Sequence, residues 1–309
     1  MKKLFQDIIN NLYRHPLSKY KDKMRFGGRQ AYQKMLNGQQ AMKAASKSLP
    51  PITSYTNGLP IYFLTGSNYI HQTLFCIQSL ANCCADKFKF ILVDDGTLDA
   101  PLISRINQQL PCASIITSTQ IQANLEKVIP KINFPVIHKK REVYPHLKKL
   151  TDIHSIAENE WKLVLDSDML FWQRPDDLIS WLNAPEVPIH MIDCVESYGY
   201  PTNLMQELCG EKVPQLLNVG AIGLKSGSIE WQQVEQWILE LEAKEGASYY
   251  LEQALTAMLI GAKPSCVLNA NKYKVNPATL IDGSTLHHYV DLSKSIYFLE
   301  AWKKIANWE

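Results

Sequence analysis

A short apolar strand that ends in two carboxylates constrains this chain more than any other feature. Leu163, Val164 and Leu165 form a continuous apolar run, which is typical of a strand covered on both faces. Asp166 and Asp168 follow where such a strand emerges, and open α/β sheets bind ligands at that edge. In an extended segment, residues i and i+2 point to the same side, so both carboxylates can contact one cation.

Two interpretations of this aspartate pair follow from the residues alone. Carboxylate oxygens suit magnesium or manganese, and an ion held by few protein ligands keeps positions open for phosphate oxygens. The pair would then hold a nucleoside diphosphate through its metal. In the alternative, the Asp-x-Asp pair is a chance occurrence that caps a helix predicted to begin near residue 175. The rest of the chain favours the metal site.

Strand and helix patterns alternate through the chain. Apolar strand patterns occur at residues 60–66, 88–95, 113–117, 188–193 and 216–224. Helical patterns occur at residues 73–82, 99–109, 119–128, 145–157, 229–243 and 249–259. This alternation predicts βαβ units. We therefore expect an α/β fold with a mainly parallel, Rossmann-like sheet that carries helices on both faces.

The first 50 residues differ in charge from the rest of the chain. They hold 11 lysines and arginines against 2 acidic residues, whereas the remainder holds 21 against 28. Helical patterns at residues 4–12 and 30–45 predict a basic helical extension, residues 1–54, before a main domain of residues 55–309. The extension lies on an anionic membrane surface in one interpretation and packs on the domain in the other. Nucleic-acid binding is disfavoured because no recognised module accompanies the charge.

The sequence predicts a cytoplasmic protein, with peripheral membrane contact through residues 1–50 left open. It contains no uncharged apolar run of about 18 residues, and its N-terminus lacks the continuous apolar segment of a secretory signal. The seven cysteines are scattered without a C-x-x-C pair. Such cysteines are expected to be buried thiols in a reducing compartment.

Four motifs, taken in order, resemble those of metal-dependent glycosyltransferases of the GT-A fold, and among these of family 8. Asp166-Ser-Asp168 is similar to the metal-binding Asp-x-Asp, and Asn218-Val-Gly220 to the family's Asn-Ala/Ser-Gly strand. Glu252-Gln253 resembles an Asp-Gln pair near the reacting sugar. The segment from His288 to Lys294 resembles the C-terminal His-x-x-Gly-x-x-Lys and has the same six-residue spacing. The resemblance covers about residues 58–300.

The resemblance implies how the leaving group would be bound. Asp166, Asp168 and His288 would hold manganese or magnesium, and Lys294 would contact the donor diphosphate. Cleavage of a sugar from a nucleoside diphosphate leaves phosphates with growing negative charge. A dication and a lysine on those oxygens stabilise the transition state more than the ground state.

The same resemblance implies contacts with the sugar and the nucleoside. Asn218 and Gln253 would orient sugar hydroxyls, with the Glu252 carboxylate near the anomeric carbon. Asn68 and Tyr69 resemble residues that hold the ribose and stack on uracil. The full set of implied donor contacts besides Lys294 is Thr65, Asn68, Tyr69, Asp94 and Ser167. Alternatively, Tyr69 is a surface aromatic at the start of a helix, and Asp94-Asp95-Gly96 is a simple turn.

Three departures separate the chain from the family 8 pattern. Gly66 and Ser67 stand where acidic residues are usual. Asp291 replaces the glycine of the last motif, and Ser295-Ile296 replaces its Pro-Trp. The implied uracil preference and the implied retaining stereochemistry depend on these positions more than the implied GT-A fold does.

Two further positions have alternative interpretations. Lys148 or Lys149 could match a basic residue that touches the donor, but a solvated helix face is the predicted environment of both. Asp193, which follows a predicted strand, is either an acceptor contact or a turn residue.

We therefore expect a metal-dependent glycosyltransferase that moves a hexose from a nucleotide sugar, with UDP as the expected nucleotide, to a hydroxyl of a glycan or glycoconjugate. A nucleotidyltransferase on a related α/β fold is one alternative. The first strand, however, is not followed by a Gly-rich basic loop that could cradle a triphosphate. A second alternative is a non-catalytic adaptor with a degenerate transferase fold, which would bind neither metal nor donor.

Overall fold

The computed structural model of the protein describes residues 23–280 and 283–306. Its strands are β1 Leu59–Thr65, β2 Phe88–Asp94, β3 Ser114–Ile116, β4 Trp161–Leu165, β5 Met169–Phe171, β6 Ile189–Ile192, β7 Leu217–Lys225, β8 Cys266–Val267, β9 Tyr273–Val275 and β10 Leu286–His288. Its helices are α1 Arg29–Ala45, α2 Ile70–Cys83, α3 Ala100–Gln109, α4 Ser118–Val128, α5 Pro135–Val143, α6 Leu147–His154, α7 Asp176–Asn183, α8 Thr202–Cys209, α9 Trp231–Glu245 and α10 Leu251–Ile260. A C-terminal helix follows in three consecutive pieces, Lys294–Ile296, the π-helical Tyr297–Ala301 and Trp302–Ala306.

Seven strands form the main sheet, in the order β3-β2-β1-β4-β7-β6-β8. Strand β7 runs antiparallel to both of its neighbours, and all other neighbouring pairs are parallel. The predicted mainly parallel sheet is therefore confirmed. Because β1, β2 and β4 are parallel, their carboxyl ends lie at one edge, and Asp166 follows β4 at that edge.

Helices cover both faces of this sheet, as predicted. Strand β4 has apolar side chains on both faces that these helices bury. Leu163 and Leu165 lie in one apolar cluster, and Val164 lies in the cluster on the opposite face. The first cluster includes apolar residues of α2, α3 and α7, and the second includes those of α4, α5, α6, α9 and α10. Burial of apolar surface on both faces, at about 25 cal/mol per Å², is what holds the layers together.

A second, three-stranded sheet has the order β5-β10-β9. Strand β10 runs antiparallel to β5, with His288 opposite Met169, and parallel to β9. This pairing places the end of the chain beside the segment that follows β4. It is the reason that residues far apart in sequence meet at one site.

The described part of the N-terminal extension packs on the main domain. Met42 of α1 is fully buried in a cluster with Phe75 of α2 and with Tyr297 and Trp302 of the C-terminal helix. The linker after α1 is also held, because Ile52 N donates to Gln109 O at 2.9 Å. For this part of the chain the packed-helix interpretation holds. The predicted helix at residues 4–12 lies outside the described residues, and the domain boundary at residue 54 stays a prediction.

Two expectations from the sequence need correction. Helix α5, Pro135–Val143, was not predicted, because its charged residues 139–142 obscure the apolar period. The cysteines are free, but only Cys76 is buried, and Cys112 and Cys194 are exposed. Among the described residues, no helix is both long enough and apolar enough to cross a membrane.

Candidate active site

The two metal-site aspartates flank a turn between the two sheets. Asp166 follows β4, and its backbone N donates to Gly220 O of β7 at 2.8 Å. Asp168 precedes β5, and its carbonyl accepts from Tyr289 N at 2.9 Å. Because Met169 is opposite His288 in the β5–β10 pair, the His288 side chain comes next to both carboxylates.

These three side chains have the geometry of a metal site. His288 Nε2 lies 3.3 Å from Asp168 Oδ1 and 3.5 Å from Asp166 Oδ2. One ligand atom from each residue lies within 4.8 Å of the others. Two atoms bound to one ion at the roughly 2.1 Å bond length of magnesium or of imidazole nitrogen ligands lie at most about 4.2 Å apart, so His288 Nε2 can share an ion with either carboxylate oxygen. Two carboxylate oxygens and one imidazole nitrogen therefore fit a divalent cation, as the sequence predicted.

Asn218 and Gly220 of β7 hold His288 in the orientation that a ligand needs. Asn218 Oδ1 lies 3.1 Å from His288 Nδ1 and also accepts from Gly220 N at 2.9 Å. An amide oxygen can only accept, so His288 Nδ1 carries a proton, and Nε2 is the ring nitrogen that faces the two carboxylates. A Cβ on Gly220 would lie 2.3 Å from His288 Nδ1, so only glycine leaves room for the ring.

Two lysines compensate the aspartates. Lys294 forms an ion pair with Asp168, and Lys149 Nζ donates to Asp166 Oδ1 at 2.7 Å and to Val219 O at 2.6 Å. Burial by itself would raise the pKa of Asp168, but the charges and hydrogen bonds of Lys294 and His288 outweigh it and lower this pKa. Asp168 is therefore ionised and can bind a cation.

The solvated helix face predicted for Lys149 is wrong. Lys149 is buried, because α6 is covered on nearly every side and its residues 149–154 are all buried. The apolar spacing of α6 alone gives no sign of this. Lys148 is partly buried and donates to the carbonyl of Asp95 at 2.5 Å.

Glu252 and Gln253 lie in the first turn of α10, where both are buried. Burial raises the pKa of Glu252 to about 7, while the charge of Lys149 lowers it and that of Asp166 raises it. Gln253 Nε2 donates to Asp193 Oδ2 at 3.2 Å. The structure thus brings the Glu252-Gln253 pair to the same site as the aspartates, with one carboxyl group that titrates near neutral pH.

Asp193 joins the two amides that the sequence predicted to contact the sugar. Its Oδ2 accepts from Asn218 Nδ2 at 3.0 Å as well as from Gln253, and its Oδ1 accepts from Cys194 N at 2.8 Å. Asp193 is buried. Sequence reasoning left this residue open between an acceptor contact and a turn, and in the structure it orients Asn218 and Gln253.

Three hydroxyl groups link the first strand to the metal loop. Thr73 Oγ1 on α2 lies 2.8 Å from Thr65 Oγ1 and 2.9 Å from Ser167 Oγ. Thr65 and Ser167 are buried or nearly so, and their predicted donor contacts stay predictions. Thr73 was not predicted, and it is the residue that ties the loop between Asp166 and Asp168 to α2.

The remaining predicted donor contacts lie at the ends of β1 and β2. Asn68 and Tyr69 are exposed in the turn before α2. The Asp94 carboxylate accepts from the backbone N atoms of residues 96, 97 and 98 and from Ser118 Oγ. Burial would raise the pKa of Asp94, but these hydrogen bonds lower it. Asp94 therefore closes the turn after β2, and its contact with a nucleoside stays a prediction.

Two departures from the family pattern have a structural counterpart. A Cβ on Gly66 would lie 1.9 Å from Asp95 Oδ1, so the Asp95 carboxylate occupies the space of a side chain at position 66. An acidic group is thus present here although residue 66 is glycine. Asp291 has φ 45°, the left-handed backbone conformation that glycine adopts most easily.

Comparison with known proteins identifies the fold. No protein-family model matches the sequence, and no curated protein is detectably similar to it. Among solved structures, galactosyltransferase LgtC in complex with donor and acceptor sugar analogs superposes with a TM-score of 0.52 at 14% identity, over 80% of this chain and 95% of that chain. The bifunctional glycosyltransferase WbbM superposes with a TM-score of 0.50 at 11% identity, over 83% of this chain and 52% of that chain. Mouse xyloside xylosyltransferase 1 superposes with a TM-score of 0.49 at 12% identity, over 77% of this chain and 98% of that chain.

The chain has the fold of LgtC and WbbM. Its seven-stranded, mainly parallel sheet with helices on both faces matches the GT-A architecture, and the predicted fold class is confirmed. At identities of 11% and 14%, the likeness defines the fold and not the activity.

Replacing Gly220 with alanine should weaken metal binding while leaving the protein folded. The new methyl group would lie 2.3 Å from His288 Nδ1, so the imidazole must leave Asn218 Oδ1 and turn away. We expect manganese affinity to fall about 10- to 100-fold, the range for losing the outer partner of a ligating histidine. Calorimetric titration of manganese measures this change.

Gly227→Ala is the matched control for that substitution, because no atom lies within 4 Å of a Cβ at Gly227. Its manganese affinity should equal that of the unmodified protein. An unchanged affinity in folded Gly220→Ala protein would show that His288 is not a metal ligand.

Removing the Glu252 carboxyl group should change how stability depends on pH in metal-free protein. Its pKa rises from an ordinary 4.5 to about 7 on folding, so between these pH values the folded protein holds more protons than the unfolded chain. The free energy of unfolding therefore falls as the pH rises from about 5 to about 7, by at most about 3 kcal/mol. Glu252→Gln should remove this fall, and urea unfolding at pH 5 and pH 8 with EDTA measures it.

The exposed Glu126→Gln change is the control, and its pH dependence should match that of the unmodified protein. If the free energy of unfolding depends on pH to the same extent in Glu252→Gln and in the unmodified protein, folding does not raise the pKa of Glu252.

Proposed function

We propose that this protein is a metal-dependent glycosyltransferase that transfers a hexose from a UDP-sugar to a hydroxyl group of a glycan or glycoconjugate. The observation that carries the proposal is the convergence of Asp166, Asp168, His288 and Lys294 at the carboxyl edge of a GT-A sheet. Two carboxylates, an imidazole and an ammonium group form a site for a dication and a diphosphate.

The leaving diphosphate would be bound by this group. Asp166, Asp168 and His288 would hold the metal, and the imidazole favours manganese over magnesium because magnesium prefers oxygen ligands. A bound dication neutralises the charge that develops on the diphosphate as the glycosidic bond breaks. Lys294 is the ammonium group for the remaining phosphate oxygens, and about a quarter of its side chain is exposed, so a ligand can reach it.

The sugar would be held by the two amides that Asp193 orients. Its carboxylate keeps the Asn218 and Gln253 amides oriented, so the sugar hydroxyls meet groups that need no reorganisation. Glu252 holds a carboxyl group near the same place, and its pKa of about 7 lets it hold or release a proton at neutral pH.

The nucleoside would lie at the ends of β1 and β2. Tyr69 is about half exposed there, with Asn68 beside it, and an exposed ring of this kind can stack on a base. Thr65 and Ser167 are linked through the Thr73 hydroxyl, which also contacts Tyr69 O at 3.3 Å, and Asp94 closes the turn after β2. We propose that they support the donor site through the hydroxyl links and turn contacts described above.

Nucleotide titration tests the proposal. UDP should bind in the presence of manganese and not in its absence, and Asp168→Ala and His288→Ala should each weaken binding at least about tenfold. Calorimetry with UDP and with GDP, each with and without manganese, measures metal dependence and base preference together. Transfer from UDP-sugars would then be screened.

Asp176→Ala is the control variant, since this aspartate is exposed and lies outside the site. It should bind UDP as the unmodified protein does. Absence of metal-dependent binding of either nucleotide would contradict the proposed function and favour a non-catalytic adaptor. Release of pyrophosphate from a nucleoside triphosphate would instead indicate a nucleotidyltransferase.

We also propose that the N-terminal residues make peripheral contact with an anionic membrane surface. Residues 1–22 hold five lysines and arginines against two aspartates, and each basic residue near such a surface contributes about 1 kcal/mol. Residues 29–45 pack on the domain, so deletion should stop at residue 22. The truncated protein should no longer sediment with vesicles that contain phosphatidylserine and should still bind UDP.

Vesicles of phosphatidylcholine alone are the control, and they should bind neither protein. Equal sedimentation of the truncated and full-length proteins with anionic vesicles would disprove the membrane contact.

A further inference from the structure

Four aromatic side chains form a continuous row beside the site. We call Tyr144, His146, Tyr249 and Tyr250 the aromatic row. Ring centroids are 5.3 Å apart between Tyr144 and His146, 4.9 Å between His146 and Tyr249, and 5.3 Å between Tyr249 and Tyr250. Neighbouring rings in the row are tilted or perpendicular to each other, which is a favourable arrangement for aromatic pairs.

The aromatic row borders Glu252. The Tyr144 hydroxyl donates to Tyr249 O at 2.5 Å and accepts from Glu252 N at 3.4 Å. A group bound against the row would therefore lie next to Glu252.

The outer rings of the row are exposed although their backbone is held firmly. Tyr249 is 66% exposed and Tyr250 is 43% exposed. Tyr250 N donates to Ser248 Oγ at 3.1 Å, and Ser248 N donates to the Tyr200 hydroxyl at 3.2 Å. Core packing does not explain two adjacent exposed tyrosines on a hydrogen-bonded backbone. A preorganised surface of this kind binds a ligand with little loss of conformational entropy.

We infer that the aromatic row is the acceptor subsite and that the acceptor is a carbohydrate whose pyranose ring lies against Tyr249 and Tyr250. This inference rests on the proposed function. A pyranose has an apolar face of C–H groups, which packs on an aromatic ring, and an edge of hydroxyls, which hydrogen-bond to phenol and imidazole groups. A serine or threonine hydroxyl of a polypeptide, or a simple alcohol, has no such face.

The chemistry of transfer suits this position. A hydroxyl of the bound sugar attacks the anomeric carbon of the donor, the bond from that carbon to the diphosphate oxygen breaks, and the hydroxyl proton passes to the Glu252 carboxylate. The diphosphate departs with the electron pair of the broken bond. A sugar on the aromatic row would present its hydroxyl edge toward Glu252 and the donor, whereas the exposed sides of Tyr249 and Tyr250 would support the rest of the glycan.

Substitution of Tyr249 tests the inference, with three binding measurements for each variant. Tyr249→Leu keeps an apolar side chain but removes the ring, and Tyr249→Phe keeps the ring. Labelled protein is applied to a glycan array with manganese, with and without UDP, and UDP binding is measured separately by calorimetry. We expect Tyr249→Leu to weaken glycan binding about tenfold, or about 1.4 kcal/mol, and Tyr249→Phe to change it less than about threefold. UDP affinity should be unchanged in both.

Tyr55→Leu is the matched control, because Tyr55 is 38% exposed and lies in the linker before β1. It should bind the same glycans as the unmodified protein. Equal glycan binding by Tyr249→Leu, or the absence of glycan binding by the unmodified protein, would overturn the inference. Weaker UDP binding by Tyr249→Leu would assign the ring to the donor nucleoside and would also overturn it. Failure of the unmodified protein to bind UDP with manganese would instead disprove the proposed function.

Discussion

The convergence of two carboxylates at a partly buried turn is the constraint on which the rest of this structure depends. Asp166 and Asp168 repel each other, and burial makes that repulsion more costly. Two lysines offset this repulsion: Lys149 from α6 pairs with Asp166, and Lys294 from the C-terminal helix pairs with Asp168. The two lysines differ in setting. Lys149 is buried with two acceptors, so it neutralises Asp166 permanently, whereas Lys294 is partly exposed and can be reached by an anionic ligand.

This charge balance explains why distant parts of the chain contribute to the site. His288 and Lys294 come from the last 25 residues, and they reach Asp168 only because β10 pairs with β5. The C-terminal helix that carries Lys294 is in turn packed against α1 and α2 through Met42, Phe75 and Trp302. The described part of the basic extension therefore supports the helix that carries Lys294.

Sequence reasoning predicted the parts of the structure whose signal is local. Strands β1, β2 and β4 are continuous apolar runs, and the Asp-x-Asp follows its strand directly, so their positions could be read from neighbouring residues. His288 and Lys294 were found only through a resemblance, because more than 100 residues separate them from Asp168. Lys149, Thr73 and the bridging role of Asp193 were missed. The environment of each is set by tertiary packing, and spacing along a helix or strand carries no information about which side chain lies opposite.

The departures from the family pattern show that a site depends on where groups lie in space and not on which residue supplies them. The space of a side chain at Gly66 is filled by the carboxylate of Asp95, and Thr97 holds that carboxylate through two hydrogen bonds. A carboxylate at this edge can thus come from the neighbouring strand. At position 291 the backbone has a left-handed conformation although the residue is aspartate, one of the few residues besides glycine that tolerate it, and its carboxylate forms an ion pair with Arg25. Lys294 thus pairs with Asp168 although residue 291 is not glycine, and its contact with a donor diphosphate stays a prediction.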